Sequence, residues 1–384
     1  MFSVKKIFSL IHHNGLASNC CSSSLLFRNG NLNGKHLRTY SVLKTLHQDE
    51  NRKEIVSYLE NDRGESLAFK AVRGKSTEIT KLLTSTKVKR RRYSKQFILV
   101  EGKRLILEAL KAKVKPVMIL FSRQNLVEGL PLDSVEYGSP KNTILRQIPY
   151  KDLKLWSDLT TSPGIFGIFK LPNLEKRSPP VDKLPITMVC DNVREPGNLG
   201  SILRIAAAIP VERVILLTGC TDLWDSKVIR SSMGAMFYLN VVVNASWDDV
   251  HDLCSGKILL ADHLPCQKNP NNTAPVSSEE IHDEANVPFM DDDDDVENDN
   301  SLRDSYNLPL KSYSDNHIDS NKSFTIIIGG ETQGLSENAF QLASAREGYR
   351  VNIPLSEYVD SLNAGAALGI ISFELKRQLQ LSGL

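Results

Sequence analysis

Several side chains in the C-terminal half are of types that do chemistry at strand ends: Arg204 is a candidate anion contact, Glu331 a hydrogen-bond acceptor, and Asn198, Ser361 and Asn363 are polar residues beside turns. Amides and hydroxyls orient by donating and accepting, a carboxylate accepts only, and a guanidinium clamps an anion. They lie in three segments, Asp191-Asn-Val-Arg-Glu-Pro-Gly-Asn-Leu-Gly-Ser-Ile-Leu-Arg204, Ile326-Ile-Ile-Gly-Gly-Glu-Thr-Gln-Gly-Leu335 and Ile353-Pro-Leu-Ser-Glu-Tyr-Val-Asp-Ser-Leu-Asn363. In each, an apolar strand gives way to a turn, the place where α/β proteins build ligand sites. Each also has a plainer reading. Asn198 can be the N-cap of the helix that follows, and Ser361 or Asn363 the cap of the next one. Arg204 lies one turn beyond Gly200 on the same face, amid Ile202, Ile205 and Ala206, where an arginine is seldom buried without a partner. Gly329 and Gly330 would let a ligand approach the backbone closely, with Glu331 a carboxylate at the buried edge.

The elements that must carry these residues alternate. Strands are expected over 186–190, 214–217, 238–243, 257–261 and 324–328, helices over 199–208 and 227–235 and from near Ser336, which implies a mostly parallel sheet. Residues 351–355 read as a short strand broken by Pro354. The small residues Ala364, Gly365, Ala366, Ala367 and Gly369 open a helix that another helix can approach closely. Between 264 and 322 the chain is Asn, Ser, Pro and acids, including the run Asp291–Asp295, and is expected to be a disordered insertion looping out without interrupting the sheet.

Upstream, residues 76–171 alternate strand and helix as a small α/β domain, with a Pro- and Lys-rich linker at 172–184. Its run Lys87-Val-Lys-Arg-Arg-Arg-Tyr-Ser-Lys95 is either a solvated loop or a phosphate-contacting patch, with Lys87, Lys89, Arg90, Arg91 and Arg92 as the contacts. Residues 41–75 read as a linker or a loosely attached helix around Ile55–Leu59. From Met1 to Gln48 there is no acid, while Lys and Arg are spread among Ser, Leu and Asn, the composition of a mitochondrial transit peptide. Residues 1–40 are assigned to it, ending at Arg38-Thr-Tyr40; the alternative is a basic arm that touches RNA. The net charge of the 384 residues is only +2, so charge alone does not announce a nucleic-acid binder. Of six cysteines, Cys20 and Cys21 fall in the leader and the other four are scattered without C-x-x-C spacing, which disfavours a zinc site or disulfide framework. No apolar run reaches the roughly 18 residues of a membrane span.

Taken in order, the three segments resemble the signature motifs of the SpoU (TrmH) family of RNA 2′-O-ribose methyltransferases, a likeness that runs from about residue 76 to 379 apart from the acidic insertion. The resemblance implies a C-terminal SPOUT domain over 185–384, its mostly parallel sheet tied in a deep trefoil knot. It also implies that the preceding domain is a ribosomal-protein-like RNA-binding domain. S-adenosyl-L-methionine would lie against Gly329, Ile353 and Leu362, with Gly330 and Pro354 adjoining. The reactive set would be Asn198, Arg204, Glu331, Ser361 and Asn363, in a homodimer whose partner supplies the arginine. A guanidinium stays protonated to a pKa above about 12, which suits Arg204 to clamping a phosphate better than to taking a proton. The expected substrate is mitochondrial large-subunit rRNA at a guanosine, met on the large ribosomal subunit in the matrix. The alternatives are a mitochondrial tRNA as substrate, or an RNA-binding assembly factor with weak turnover. The chain departs from the family pattern at Ile209-Pro210, at Ser356-Glu357-Tyr358 in place of a glycine turn, and at Ala364-Gly-Ala after Asn363.

Overall fold

The computed structural model describes residues 25–32, 35–45, 53–60, 66–72, 76–132, 144–179, 181–262, 306–315, 323–331 and 333–383. The chain forms two compact units, Met1–Pro172 and Asn173–Leu384. The first 24 residues of the expected leader, with Cys20 and Cys21, lie outside the described residues.

The N-terminal unit carries β1 (Leu25–Leu32), β2 (Lys35–Thr45), β3 (Lys53–Glu60), β4 (Ser66–Ala71), α1 (Thr77–Lys87), α2 (Lys89–Lys95), β5 (Phe97–Glu101), α3 (Lys103–Lys111), β6 (Pro116–Phe121), β7 (Ile144–Gln147), α4 (Tyr150–Lys154) and β8 (Ile165–Lys170). Its eight-stranded sheet runs β1-β2-β3-β4-β7-β6-β8-β5. Ser76 caps α1 by accepting from the Ile79 N–H. Leu105, Ile106 and Leu110 of α3 are buried as their spacing requires, and Ile79, Leu83, Met118, Leu120, Phe166 and Ile168 share one core. Two expectations change here. Much of the stretch read as linker is strand, and Ile55–Leu59 lies in β3 rather than a helix, because Ile55, Val56 and Tyr58 within four residues favour extended backbone. The basic run is not a loop: α2 occupies most of it and ends at Gln96 in the left-handed conformation.

The C-terminal unit carries β9 (Leu184–Asp191), α5 (Pro196–Ala208), β10 (Val211–Leu217), α6 (Ser226–Ser231), β11 (Val241–Ala245), α7 (Trp247–Leu253), β12 (Lys257–Ala261), β13 (Leu310–Ser312), β14 (Phe324–Gly329), α8 (Glu337–Ala345), β15 (Tyr349–Asn352) and α9 (Ala364–Leu381). The seven strands lie in the order β11-β10-β9-β14-β12-β15-β13, and every pairing is parallel. Such a sheet is covered on both faces and its strands read as continuous apolar runs; Met188–Cys190 and Ile326–Ile328 are all buried.

The acidic segment does not loop out whole. Residues 306–315 return to the fold and supply β13, which pairs with β15 from Leu310↔Arg350 to Ser312↔Asn352. Leu308 is buried, Tyr306 stacks on Phe340 at 6.2 Å and donates to Glu337 at 3.0 Å, and Gln378 of α9 donates to the Asp315 carbonyl at 2.9 Å. Four apolar or aromatic residues in a stretch of ten, Tyr306, Leu308, Leu310 and Tyr313, are enough to dock a short edge strand, which is why composition averaged over the whole segment hid it. The remainder of the expected insertion, including Asp291–Asp295 and Cys266, lies outside the described residues.

Candidate active site

In a parallel sheet all strands end on one edge, and that edge is where ligands bind. Here the ends of β12, β14 and β15 open onto a cavity walled by Ile328, Leu335, Val351, Ile353, Leu355, Leu362 and Ile371. Its polar lining includes Asp262, Glu331 and Ser361, with Gly329, Gly330 and Gly334 forming the rim of the second segment. Of the expected cofactor contacts, Gly329, Gly330, Ile353 and Leu362 line this cavity. Pro354 is exposed and outside the lining, because the turn carries Ile353 and Leu355 inward and the residue between them outward.

The glycines also let the backbone pack on itself. A Cβ on Gly329 would stand 2.2 Å from the Gly334 carbonyl oxygen, and one on Gly330 would stand 2.3 Å from that of Asn192. Gly334 adopts a φ of 62° and its N–H donates to the Gly330 carbonyl at 3.0 Å. The second segment is thus a tight backbone fold pressed against the turn of the first, a contact only glycine permits. Asp191, at the end of β9, reinforces it: its buried carboxylate accepts from the Ser336 N–H at 2.7 Å, at the start of α8. Burial raises the Asp191 pKa, and the Ser336 hydrogen bond offsets this in part. Nearby, burial holds Cys190 as a thiol and pushes Cys220 up to about 11.

The three segments converge through one amide. The Asn363 Nδ2 donates to Asn198 Oδ1 at 2.7 Å and to Glu331 Oε1 at 3.1 Å, while its Oδ1 accepts from the Gly365 N–H at 3.0 Å. Asn363 is therefore both the N-cap of α9 and the junction of the site. Asn198 is not a cap. It is buried inside α5, whose cap is Glu195, followed by Pro196 at a position that needs no N–H donor. Glu331 is exposed rather than buried at an edge, since the tight glycine turn projects it past the end of β14. Ser361 is exposed at the cavity. The small residues of α9 do permit close packing: a Cβ on Gly365 would stand 3.0 Å from Ser201 Cβ and one on Gly369 3.4 Å from Ile205, both on α5.

Arg204 stands apart from this junction. It is exposed on α5 and makes no hydrogen bond or ion pair with another described residue, so its guanidinium faces outward, available to an external anion. Two residues that the sequence reading passed over belong to the site. Asp191 was quoted in the first segment but given no role, and Asp262 follows β12 into the cavity, where Arg350 Nη1 approaches it at 3.6 Å. Both sit at the C-terminal end of a parallel strand, the one signal that could have found them.

In the N-terminal unit the five expected phosphate contacts divide. Lys89, Arg90 and Arg91 are exposed on α2. Lys87 is paired with Asp158 at 2.7 Å. Arg92 is buried, its Nε donating to the Thr86 carbonyl at 2.8 Å and its Nη2 to that of Lys87; helical geometry turns one residue of the run inward, and that residue ties α2 to α1 instead of reaching solvent.

Residues 185–373 match the SpoU rRNA Methylase family. The mitochondrial rRNA methyltransferase 3 of Homo sapiens is 36% identical over 312 residues, which are 79% of this chain and 72% of that protein. The chain belongs to the SpoU rRNA Methylase family. The mitochondrial rRNA methyltransferase 3A of Danio rerio is 37% identical over 73% of this chain, which spans 64% of that relative's length. Among solved structures, the SpoU fold is shared with an AdoMet-bound rRNA methyltransferase from Sinorhizobium meliloti, at a TM-score of 0.58 and 20% identity over 81% of this chain and 98% of that one. The SpoU methyltransferase AviRb from Streptomyces viridochromogenes, solved with AdoMet, aligns at a TM-score of 0.57 and 21% identity over 81% of this chain and all of that one.

Proposed function

We propose that this protein transfers a methyl group from S-adenosyl-L-methionine to a ribose 2′-hydroxyl of mitochondrial large-subunit rRNA, at a guanosine. The observation that carries the reading is the junction at Asn363, where an amide, a second amide and a carboxylate from three distant segments meet within 2.7–3.1 Å beside a cavity at the strand ends. The cavity suits the cofactor by its chemistry. Apolar walls at Ile328, Leu335, Val351 and Ile353 suit an adenine, while the Asp262 carboxylate and the peptide groups around Gly329 and Leu362 suit its hydroxyls and ammonium. When bound, the sulfonium supplies a methyl group that is already activated, so the protein's own task is alignment.

Asn363 spends both amide hydrogens on Asn198 and Glu331, so its part is to hold the exposed Glu331 carboxylate in place before any substrate arrives, leaving the second Glu331 oxygen to orient a hydroxyl. Ser361 offers a hydroxyl at the cavity. Arg204 clamps a phosphate beside the target ribose, and a phosphate oxygen or water takes the proton. The exposed Ile370 and Phe373 on α9 support a homodimer that buries this face. Exposed Lys89, Arg90 and Arg91 on α2 support phosphate contact by the N-terminal unit. The acid-free leader and the names of the relatives support the mitochondrial matrix, and rRNA as substrate supports docking on the large ribosomal subunit.

The test incubates purified protein with labelled S-adenosyl-L-methionine and transcripts of mitochondrial large-subunit rRNA and tRNA, then maps ribose methylation. Methyl transfer confined to a guanosine of the rRNA is expected. Transfer to tRNA alone would replace the substrate, and tight RNA binding without transfer would make the protein an assembly factor.

A further inference from the structure

The turn between Leu355 and Ser361, both of which line the cavity, presents Tyr358 to solvent at 86% exposure and Val359 at 44%. The turn is closed, with the Val359 N–H donating to the Ser356 carbonyl at 3.1 Å, and the Tyr358 ring stands in solvent on a turn flanked by two cavity-lining residues. An aromatic so exposed lacks the apolar neighbours that would justify it by packing. The segment from Ile353 to Asn363 contains Glu357 and Asp360 and no Lys or Arg. Two carboxylates repel phosphates, so this loop is poorly suited to the RNA backbone. Carboxylates only accept hydrogen bonds, and among the bases guanine presents two adjacent donors, N1–H and the N2 amino group, on its Watson–Crick edge. Single-stranded bases are recognised by stacking on aromatic side chains and by hydrogen bonds to that edge.

We infer that the 356–360 turn is the base-recognition element of the site: Tyr358 stacks on the base of the target nucleotide, and Glu357 and Asp360 accept from the donor edge of a guanine. The inference rests on the ribose methyl transfer proposed above and names how its nucleotide is chosen.

The test uses the full chain with unmodified large-subunit rRNA transcript, comparing wild type, Tyr358→Phe, Tyr358→Ala and the double variant Glu357→Gln, Asp360→Asn. Readouts are the rate of transfer at subsaturating RNA, the mapped nucleotide, transcript affinity, and S-adenosyl-L-methionine affinity by calorimetry. Tyr358→Ala is expected to slow transfer about ten- to a hundredfold, the range lost with one stacked base, while Tyr358→Phe stays near wild type and cofactor affinity is unchanged in both. The double variant is expected to methylate nucleotides other than guanosine. Equal transfer by wild type and Tyr358→Ala overturns the stacking, and a wild-type target other than guanosine overturns the carboxylate contacts. If the wild type transfers nothing, the methyl-transfer reading fails; weaker transcript binding by Tyr358→Ala then still supports the stack, and unchanged binding overturns it.

Discussion

Asn363 uses both ends of one amide. Its oxygen caps α9 and its nitrogen joins two other segments, so the two functions separate by substitution. Asn363→Asp keeps the acceptor for the Gly365 N–H but cannot donate, and it sets a second carboxylate against Glu331. Thermal unfolding of this variant should show the cap retained, while methyl transfer slows by about a hundredfold, because the Glu331 carboxylate loses the donor that positions it. Asn363→Ala should lose transfer and also about 1 kcal/mol of stability with the cap. Asp191 offers a pH test. Its folded pKa is raised above the ordinary 3.8 by burial, so between 3.8 and the folded value the folded state binds more protons than the unfolded one. Stability from this group therefore falls as pH rises through that window. Asp191→Asn cannot titrate yet still accepts from Ser336, so the stability of wild type relative to the variant should improve as pH is lowered toward 3.8. Melting curves across that range check it, and a flat difference would remove Asp191 as a buried titrating group.

Among the elements, β13 is the one whose role changes most. The segment Tyr306–Asp315 holds the edge of the sheet at β15, and β15 ends one residue before the cavity-lining Ile353. Leu308→Ala removes a buried side chain and should lower stability by about 2–3 kcal/mol, read by denaturant unfolding. Removing residues 266–304, upstream of the docked segment, should leave the unfolding midpoint unchanged. The same deletion carried through 315 should lower it. Equal midpoints for the two deletions would show that the edge strand contributes nothing. The interface of α5 and α9 was more legible, since glycines at 365 and 369 announce close packing and the structure places Ser201 and Ile205 against them.

At the scale of the whole molecule, charge is spread unevenly: a net +2 over 384 residues conceals a helix, α2, with three adjacent outward cations. If Lys89, Arg90 and Arg91 each neutralise a phosphate, replacing all three by Ala should reduce the slope of log affinity against log salt by about 2 to 3. The salt dependence of transcript binding measures it. Arg92→Ala should behave differently and destabilise the N-terminal unit, because that side chain satisfies the carbonyls of Thr86 and Lys87 and its loss leaves buried acceptors without donors.

The sequence by itself determined the alternation of strands and helices and the parallel sheet, and it marked the strand ends at which the candidate site residues gather. These follow from local rules: apolar runs make buried strands, small residues mark close approach, and turn residues at strand ends mark a ligand edge. It could not assign jobs to those residues. Asn198 reads either as a cap or as a site residue and is an acceptor buried inside a helix; Gly329 and Gly330 read as room for a ligand, and besides lining the cavity they make room for the protein's own backbone. Arg92 reads like its neighbours and faces inward. Ten residues that read as part of a disordered insertion hold the edge of the sheet. In each case the decision lies in a partner far away in the chain, at Asn363, Gly334, Asn192 or β15, and only folding sets which partner a side chain meets.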